Sequence, residues 1–164
     1  MIPKHNFILV PGLWVGEGKI TLNMVEENLK FLTNWNISNK DFAGKVTCVQ
    51  EISIQGLSEN MRNEMSFFDF QPKTFTVEME NQNIGRIVGT GIYDEKMLGW
   101  EFRENDLKFE GYETYLLQDD GSYLVKGEYF SSDQFRTQIE GRIWIHPQAE
   151  GQLPFEEPET DEDA

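Results

Sequence analysis

The sequence predicts an all-β protein, an up-and-down antiparallel β-barrel of about ten strands. Three observations lead there. Side-chain character alternates with period two through nearly all of residues 12–146, the repeat of a half-buried strand. The alternating runs are separated by short turn signals, too short for a parallel crossover, so consecutive strands are antiparallel neighbours. No segment of ten or more residues has a helical period. Ten hairpin-linked strands in about 135 residues cannot comfortably remain one open sheet; such a sheet curls, splits or closes. Closure removes both edges and buries one continuous face. It also places the first strand beside the tenth. A two-sheet sandwich of the same connectivity is the alternative.

Each strand is legible in turn. Trp14, Gly16, Gly18, Ile20, Leu22 and Met24 share one face of the first, with Val15, Glu17, Lys19, Thr21 and Asn23 on the other. In the second, Leu29, Phe31, Thr33, Trp35 and Ile37 alternate with Asn28, Lys30, Leu32, Asn34 and Asn36. Val46, Cys48, Gln50, Ile52 and Ile54 mark the third, Met61, Met65 and Phe67 the fourth, and Phe75, Val77 and Met79 the fifth. A glycine-rich sixth runs over about 84–93, where Gly85, Gly89 and Gly91 ease sharp coiling. Leu98, Trp100 and Phe102 mark the seventh; the eighth runs over 107–117 and the ninth over 123–130. In the tenth, Phe135, Thr137, Ile139, Gly141, Ile143 and Ile145 oppose Gln134, Arg136, Gln138, Glu140 and Arg142. The connections carry turn residues such as Gln71-Pro72-Lys73, Asn81-Gln82-Asn83 and Asp119-Asp120-Gly121; the Asp-Gly pair favours a tight hairpin.

Three segments follow: 1–11, a short N-terminal piece packing on the barrel; 12–146, the barrel; and 147–164, an acidic disordered tail. The first holds a greasy run, Phe7-Ile8-Leu9-Val10, shorter than a secretory core of about 7–15 residues. It is read as crossing a barrel end or adding an edge strand. The tail holds seven acids and no Lys or Arg, and Pro154 and Pro158 interrupt it.

Composition narrows the function classes. The chain has 164 residues and a formal net charge of −15, from 29 acids against 14 bases. Nucleic acid and anionic membrane surfaces repel such a charge. No apolar run reaches the roughly 18 residues of a membrane helix, so no membrane insertion is expected. One cysteine and two histidines offer little to a zinc site, and no metal site is expected. A cytoplasmic protein, monomeric or dimeric, is the simplest expectation. No phosphate loop, His-Glu-x-x-His pair or Gly-x-Ser-x-Gly elbow is present.

Gly12-Leu13-Trp14 followed by Gly16-Glu17-Gly18 resembles the Gly-x-Trp opening strand of lipocalin-like (calycin) barrels. The resemblance implies that Trp14 plugs one barrel end and that Arg142, near the end of the last strand, packs across its indole; such a cation–π contact contributes roughly 0.5–2 kcal/mol. The same wording is similar, more weakly, to the first strand of ten-stranded nitrobindin-like haem barrels. Those ligate iron through a histidine late in the barrel. Here His5 and His146 lie beyond the barrel strands, so no haem and no other cofactor is expected.

Ten strands enclose more room than eight, so the barrel has a lumen unless large side chains fill it. The inward face is mainly aliphatic and aromatic and suits an apolar or aromatic molecule held by a few polar anchors. The candidate ligand-binding residues are Phe31, Thr33, Trp35, Gln50, Phe67, Trp100, Glu113, Tyr115 and Tyr129, with Tyr123 and Thr137 as further polar groups of inward parity. The expected function is a carrier or sensor for a small hydrophobic ligand. One alternative is a filled barrel acting as an interaction module whose tail docks on a basic protein partner. Another, resting on analogy, is an isomerase or lyase using Glu113 and Tyr115 as acid and base; no catalytic residue is otherwise assigned. Cys48, mid-strand and inward with no base at hand, reads as a structural thiol. Tyr112, Leu116, Leu124 and Phe130 leave the parity of the eighth and ninth strands open, and suggest that the N-terminal run or a second subunit covers that outer face.

Overall fold

The computed structural model describes residues 2–23, 28–103, 105–131 and 136–147. It holds ten strands: β1 (Gly12–Leu22), β2 (Asn28–Ile37), β3 (Val46–Ile54), β4 (Met61–Phe68), β5 (Thr74–Asn81), β6 (Gly85–Tyr93), β7 (Met97–Phe102), β8 (Glu110–Leu117), β9 (Tyr123–Phe130) and β10 (Arg136–Ile145). Every strand pairs antiparallel with its sequence neighbours, and β1 closes on β10, with Trp14 opposite Ile145 and Ile20 opposite Ile139. The expected barrel is therefore the fold found, and the sandwich is not. Met24 and the acidic stretch from residue 148 lie outside the described residues.

Alternation settles which face turns inward. Thr33, Trp35 and Ile37 of β2 are buried while Leu32 and Asn36 are exposed. The same holds for Asn63, Met65 and Phe67 of β4 and for Phe75, Val77 and Met79 of β5. In β8 and β9 the inward set is Gly111, Glu113, Tyr115 and Tyr123, Val125, Gly127, Tyr129, because Glu113 pairs with Trp100 and Gly127, and Tyr115 with Leu98 and Val125. Tyr112, Leu116, Leu124 and Phe130 face out and are all at least 41% exposed. The eighth strand starts three residues later than its pattern suggested. Asn105 bonds both the Phe109 N–H and the Phe109 carbonyl, and Lys108 sits at φ 54°. This side-chain brace folds 105–109 into a turn before the ladder resumes.

The N-terminal run does not cover the outer face of β8 and β9. It enters one barrel end. Phe7 and Ile8 are fully buried, and the Val10 N–H closes a turn on the Asn6 carbonyl. Phe7 packs among Trp14, Trp35, Tyr115 and Tyr123, with ring centroids 5.0–5.6 Å away. Ile8 holds φ 62°, a left-handed conformation that a β-branched residue adopts at a cost. Complete burial of its side chain offsets that strain. His5 is tied down as well: Nδ1 lies 2.8 Å from the Tyr123 hydroxyl and Nε2 2.6 Å from the Asp94 carbonyl.

Aromatic side chains crowd this plugged end, where Trp14, Trp35, Phe67, Phe75, Tyr93 and Trp100 form one buried cluster. Toward the other end the inward positions carry Leu22, Ile54, Met61, Asn81 and Thr137 instead, and the lumen stays open. The barrel is packed solid at one end and hollow at the other.

Candidate functional site

The hollow end is a cup of about 330 Å³. Its floor is Trp35 and Tyr115, directly above the Phe7 plug. Its walls are mostly aliphatic, from Ile20, Ile52, Met79, Val125, Ile139 and Ile143, with Phe31 and Phe109 adding rings. Most of its polar side chains form two separate arrays, on nearly opposite sides of the ten-strand circle.

The first array crosses β2 to β5. Cross-strand pairing sets Trp35 opposite Gln50 and Gln50 opposite Asn63, and Asn81 continues the row. The side chains form a one-way chain of hydrogen bonds. Asn81 Nδ2 donates to Asn63 Oδ1 at 2.8 Å, Asn63 Nδ2 to Gln50 Oε1 at 2.9 Å, Gln50 Nε2 to Thr33 Oγ1 at 3.3 Å, and the Thr33 hydroxyl to the Glu51 carbonyl at 3.0 Å. Each polar group finds a protein partner, so this array satisfies itself and fixes the amide orientations.

The second array lies on β8 and β9. The Tyr115 hydroxyl donates to Glu113 Oε1 and the Tyr129 hydroxyl to Oε2, so two phenols clasp one carboxylate. Glycines make the room. A Cβ on Gly127 would sit 3.0 Å from Glu113 Cγ, and one on Gly111 would strike the Tyr129 ring at 2.3 Å. Glu113 and Tyr129 thus lie flat over neighbouring strands where any larger residue would push them away. Burial raises the Glu113 carboxyl above its ordinary range, and the two phenol hydrogen bonds pull part of the way back. Burial, reinforced by the nearby carboxylate, pushes both phenols well above 10, so they remain donors.

No side-chain cation answers this carboxylate from within the described lumen. Arg142 is among the residues that border the cup. Its side chain alternates outward, donating from Nε to Ser122 Oγ at 3.2 Å and approaching Asp120 at 3.6 Å. The expected packing of Arg142 across Trp14 is therefore corrected. Gly141 and Ile143 take the inward positions of β10, and the strand pleat sends the residue between them to the surface. Trp14 is enclosed by Phe7 and Tyr123 instead, with centroids at 5.3 and 5.6 Å.

Of the nine candidate ligand residues, Phe31, Thr33, Trp35, Gln50, Glu113, Tyr115 and Tyr129 line the cup. Phe67 and Trp100 do not; they pack together at 5.4 Å on the filled side of the floor. Thr137 lines the cup, whereas Tyr123 belongs to the plug. Asn63 and Asn81 were not singled out from the sequence. Their inward parity, two and four residues along from buried apolar neighbours, was the available signal. Cys48 is buried, and burial drives its thiol far up, as expected of a structural thiol. The indole N–H groups of Trp14 and Trp35 are buried with no hydrogen-bond partner among the described residues. No group of three or more His, Cys, Asp or Glu suited to a metal occurs among those residues.

Comparison with protein-family models finds no match, and comparison with curated protein sequences finds none either. Among solved structures, the chain is similar to the S-type phycobiliprotein lyase CPES from Guillardia theta, at 7% identity and a TM-score of 0.63 over 84% of this chain and 88% of that one. It also aligns with EF1p2_mFAP2b bound to DFHBI, at 14% identity and a TM-score of 0.42 over 84% and 94% of the two chains. At 7% identity the first likeness is one of fold, which in this chain is a closed antiparallel barrel.

Proposed function

We propose that the protein is a carrier or sensor that encloses one small, largely apolar molecule in the open half of its barrel. The observation carrying this reading is the cup itself, about 330 Å³ of space bounded mainly by aliphatic and aromatic side chains, with two ordered polar arrays set into its wall. A cavity of this size costs stability unless something occupies it, because its walls forgo dispersion contacts. A site of apolar walls and few fixed polar groups is how proteins take up small ligands. The pre-organised arrays keep the cup in shape before the ligand arrives, which lowers the ordering cost of binding.

Titration with the neutral, environment-sensitive fluorophore Prodan tests this. Saturable one-to-one binding with a blue-shifted emission is expected. Ile139→Trp fills the cup from β10 and should weaken it about tenfold or more, the cost of a few displaced methylene contacts. Absence of saturable binding, or binding indifferent to Ile139→Trp, would overturn the reading. Acid–base chemistry on the enclosed molecule is a second reading, favoured by Glu113 and Tyr115 sharing the lumen. It predicts that a molecule retained by native protein leaves chemically changed in wild type and unchanged in Glu113→Gln.

A further inference from the structure

The two polar arrays of the cup differ in one respect that bears on what the cup accepts. The amide array is closed: Asn81, Asn63, Gln50 and Thr33 pass their donors along and end on a backbone carbonyl. The Glu113 array is closed in hydrogen bonds from two phenols but open in charge. Two neutral donors delocalise a carboxylate's charge without cancelling it, and the one arginine that reaches the lumen turns its guanidinium to the outer surface. A carboxylate partly withdrawn from water, as Glu113 is, carries a desolvation cost that no counter-ion offsets here. A sequence with −15 formal charge also raises the local concentration of cations and repels anions.

We infer that the preferred ligand is an aromatic or otherwise apolar molecule bearing a basic nitrogen, and that this nitrogen docks on Glu113 between Tyr115 and Tyr129. This rests on the binding reading above and names the class of molecule bound. Two features of the cup agree with it. A protonated nitrogen supplies the charge that the lumen lacks and donates to the remaining lone pairs of both carboxylate oxygens. The Phe31, Phe109, Tyr115 and Tyr129 rings line the same cup, and aromatic faces attract a cation. An anionic ligand such as a fatty acid would place a second negative charge beside Glu113, which is unfavourable on every count.

A charge-graded series of equal size tests the inference: 1-naphthylmethylamine, 1-naphthalenemethanol and 1-naphthoic acid, titrated calorimetrically into wild type and Glu113→Gln at pH 7. The amine should bind wild type about tenfold to a hundredfold more tightly than the alcohol, the range of a charge-assisted hydrogen bond, and the acid should bind weakest. Glu113→Gln should erase the amine's advantage while leaving alcohol affinity within about threefold, which also reports an intact cup. Tyr129→Phe, which removes one clasp and keeps the carboxylate, should preserve the preference for the amine. Equal affinities, a preference for the acid, or an amine advantage that survives Glu113→Gln would each overturn the inference and leave the carrier reading in place. Failure of all three compounds and of Prodan would instead overturn the reading beneath it.

Discussion

Phe7 is the residue on which the plugged end depends, and its truncation gives the sharpest test of the architecture. The side chain is fully buried and touches four aromatic rings, Trp14, Trp35, Tyr115 and Tyr123. Phe→Ala in a core costs about 3–5 kcal/mol, partly as lost transfer energy and partly as the cavity left behind. The upper part of that range applies here. The four neighbours are large, planar and anchored on β1, β2, β8 and β9, so they cannot collapse into the space, and each loses an edge or tilted ring contact. For about 4 kcal/mol, a domain of this size should lose about 8–16 °C in Tm. With a urea slope near 2 kcal/mol/M, the midpoint should fall by about 2 M at an unchanged slope. Tryptophan fluorescence reports this directly, because Trp14 and Trp35 flank the deleted ring. A loss below about 1 kcal/mol would refute the reasoning, since no fully buried phenylalanine among four rings is that cheap to remove. The N-terminal run would then not be inside the barrel.

Two further outcomes follow from the same geometry. Burial lifts the folded-state pKa of Glu113 above its unfolded value near 4.5; between the two values the folded chain binds more protons than the unfolded one, so this group's contribution is fully present below 4.5 and is lost as pH rises through the folded value. The urea midpoint of Glu113→Gln relative to wild type should therefore improve as pH rises above about 4.5 and level off once pH passes the folded value, and a shift in the opposite sense would reverse the assigned direction. Arg142→Ala should change Tm by no more than about 2 °C, because its partners Ser122 and Asp120 hold it on the outer surface; a loss approaching that of Phe7→Ala would restore the barrel-end role that the strand pleat denies it.

Much of the barrel was legible along the chain because a strand announces itself locally. The two-residue repeat of Phe31, Thr33, Trp35 and Ile37 identifies both the element and its buried face, and the short turns leave antiparallel pairing as the one connection available. Inward parity therefore also named seven residues that line the cup. It failed where local pattern is silent. Tyr112, Tyr115, Leu116 and Leu117 put large apolar groups on both faces of β8, and pairing with β7 and β9 decided which face turned in. Arg142 was aimed at Trp14 by resemblance, whereas its register opposite Glu17 sends it outward.

What the sequence alone determined is the strand, its face and its neighbour, since these depend on period-two side chains and on connection length. How far along the barrel axis each residue lies was decided by the closed tertiary structure. Register and the inclination of the strands carry Phe67 and Trp100 to the filled half and Glu113 and Tyr129 to the open one. The N-terminal run seals one mouth for the same reason. A barrel closed on itself has two ends that no strand can cover, and a short apolar segment that can enter one of them buries Phe7 and Ile8 at a stroke. Neither height nor occupancy of an end is written into a repeat of two; both arise when ten ribbons must share one axis.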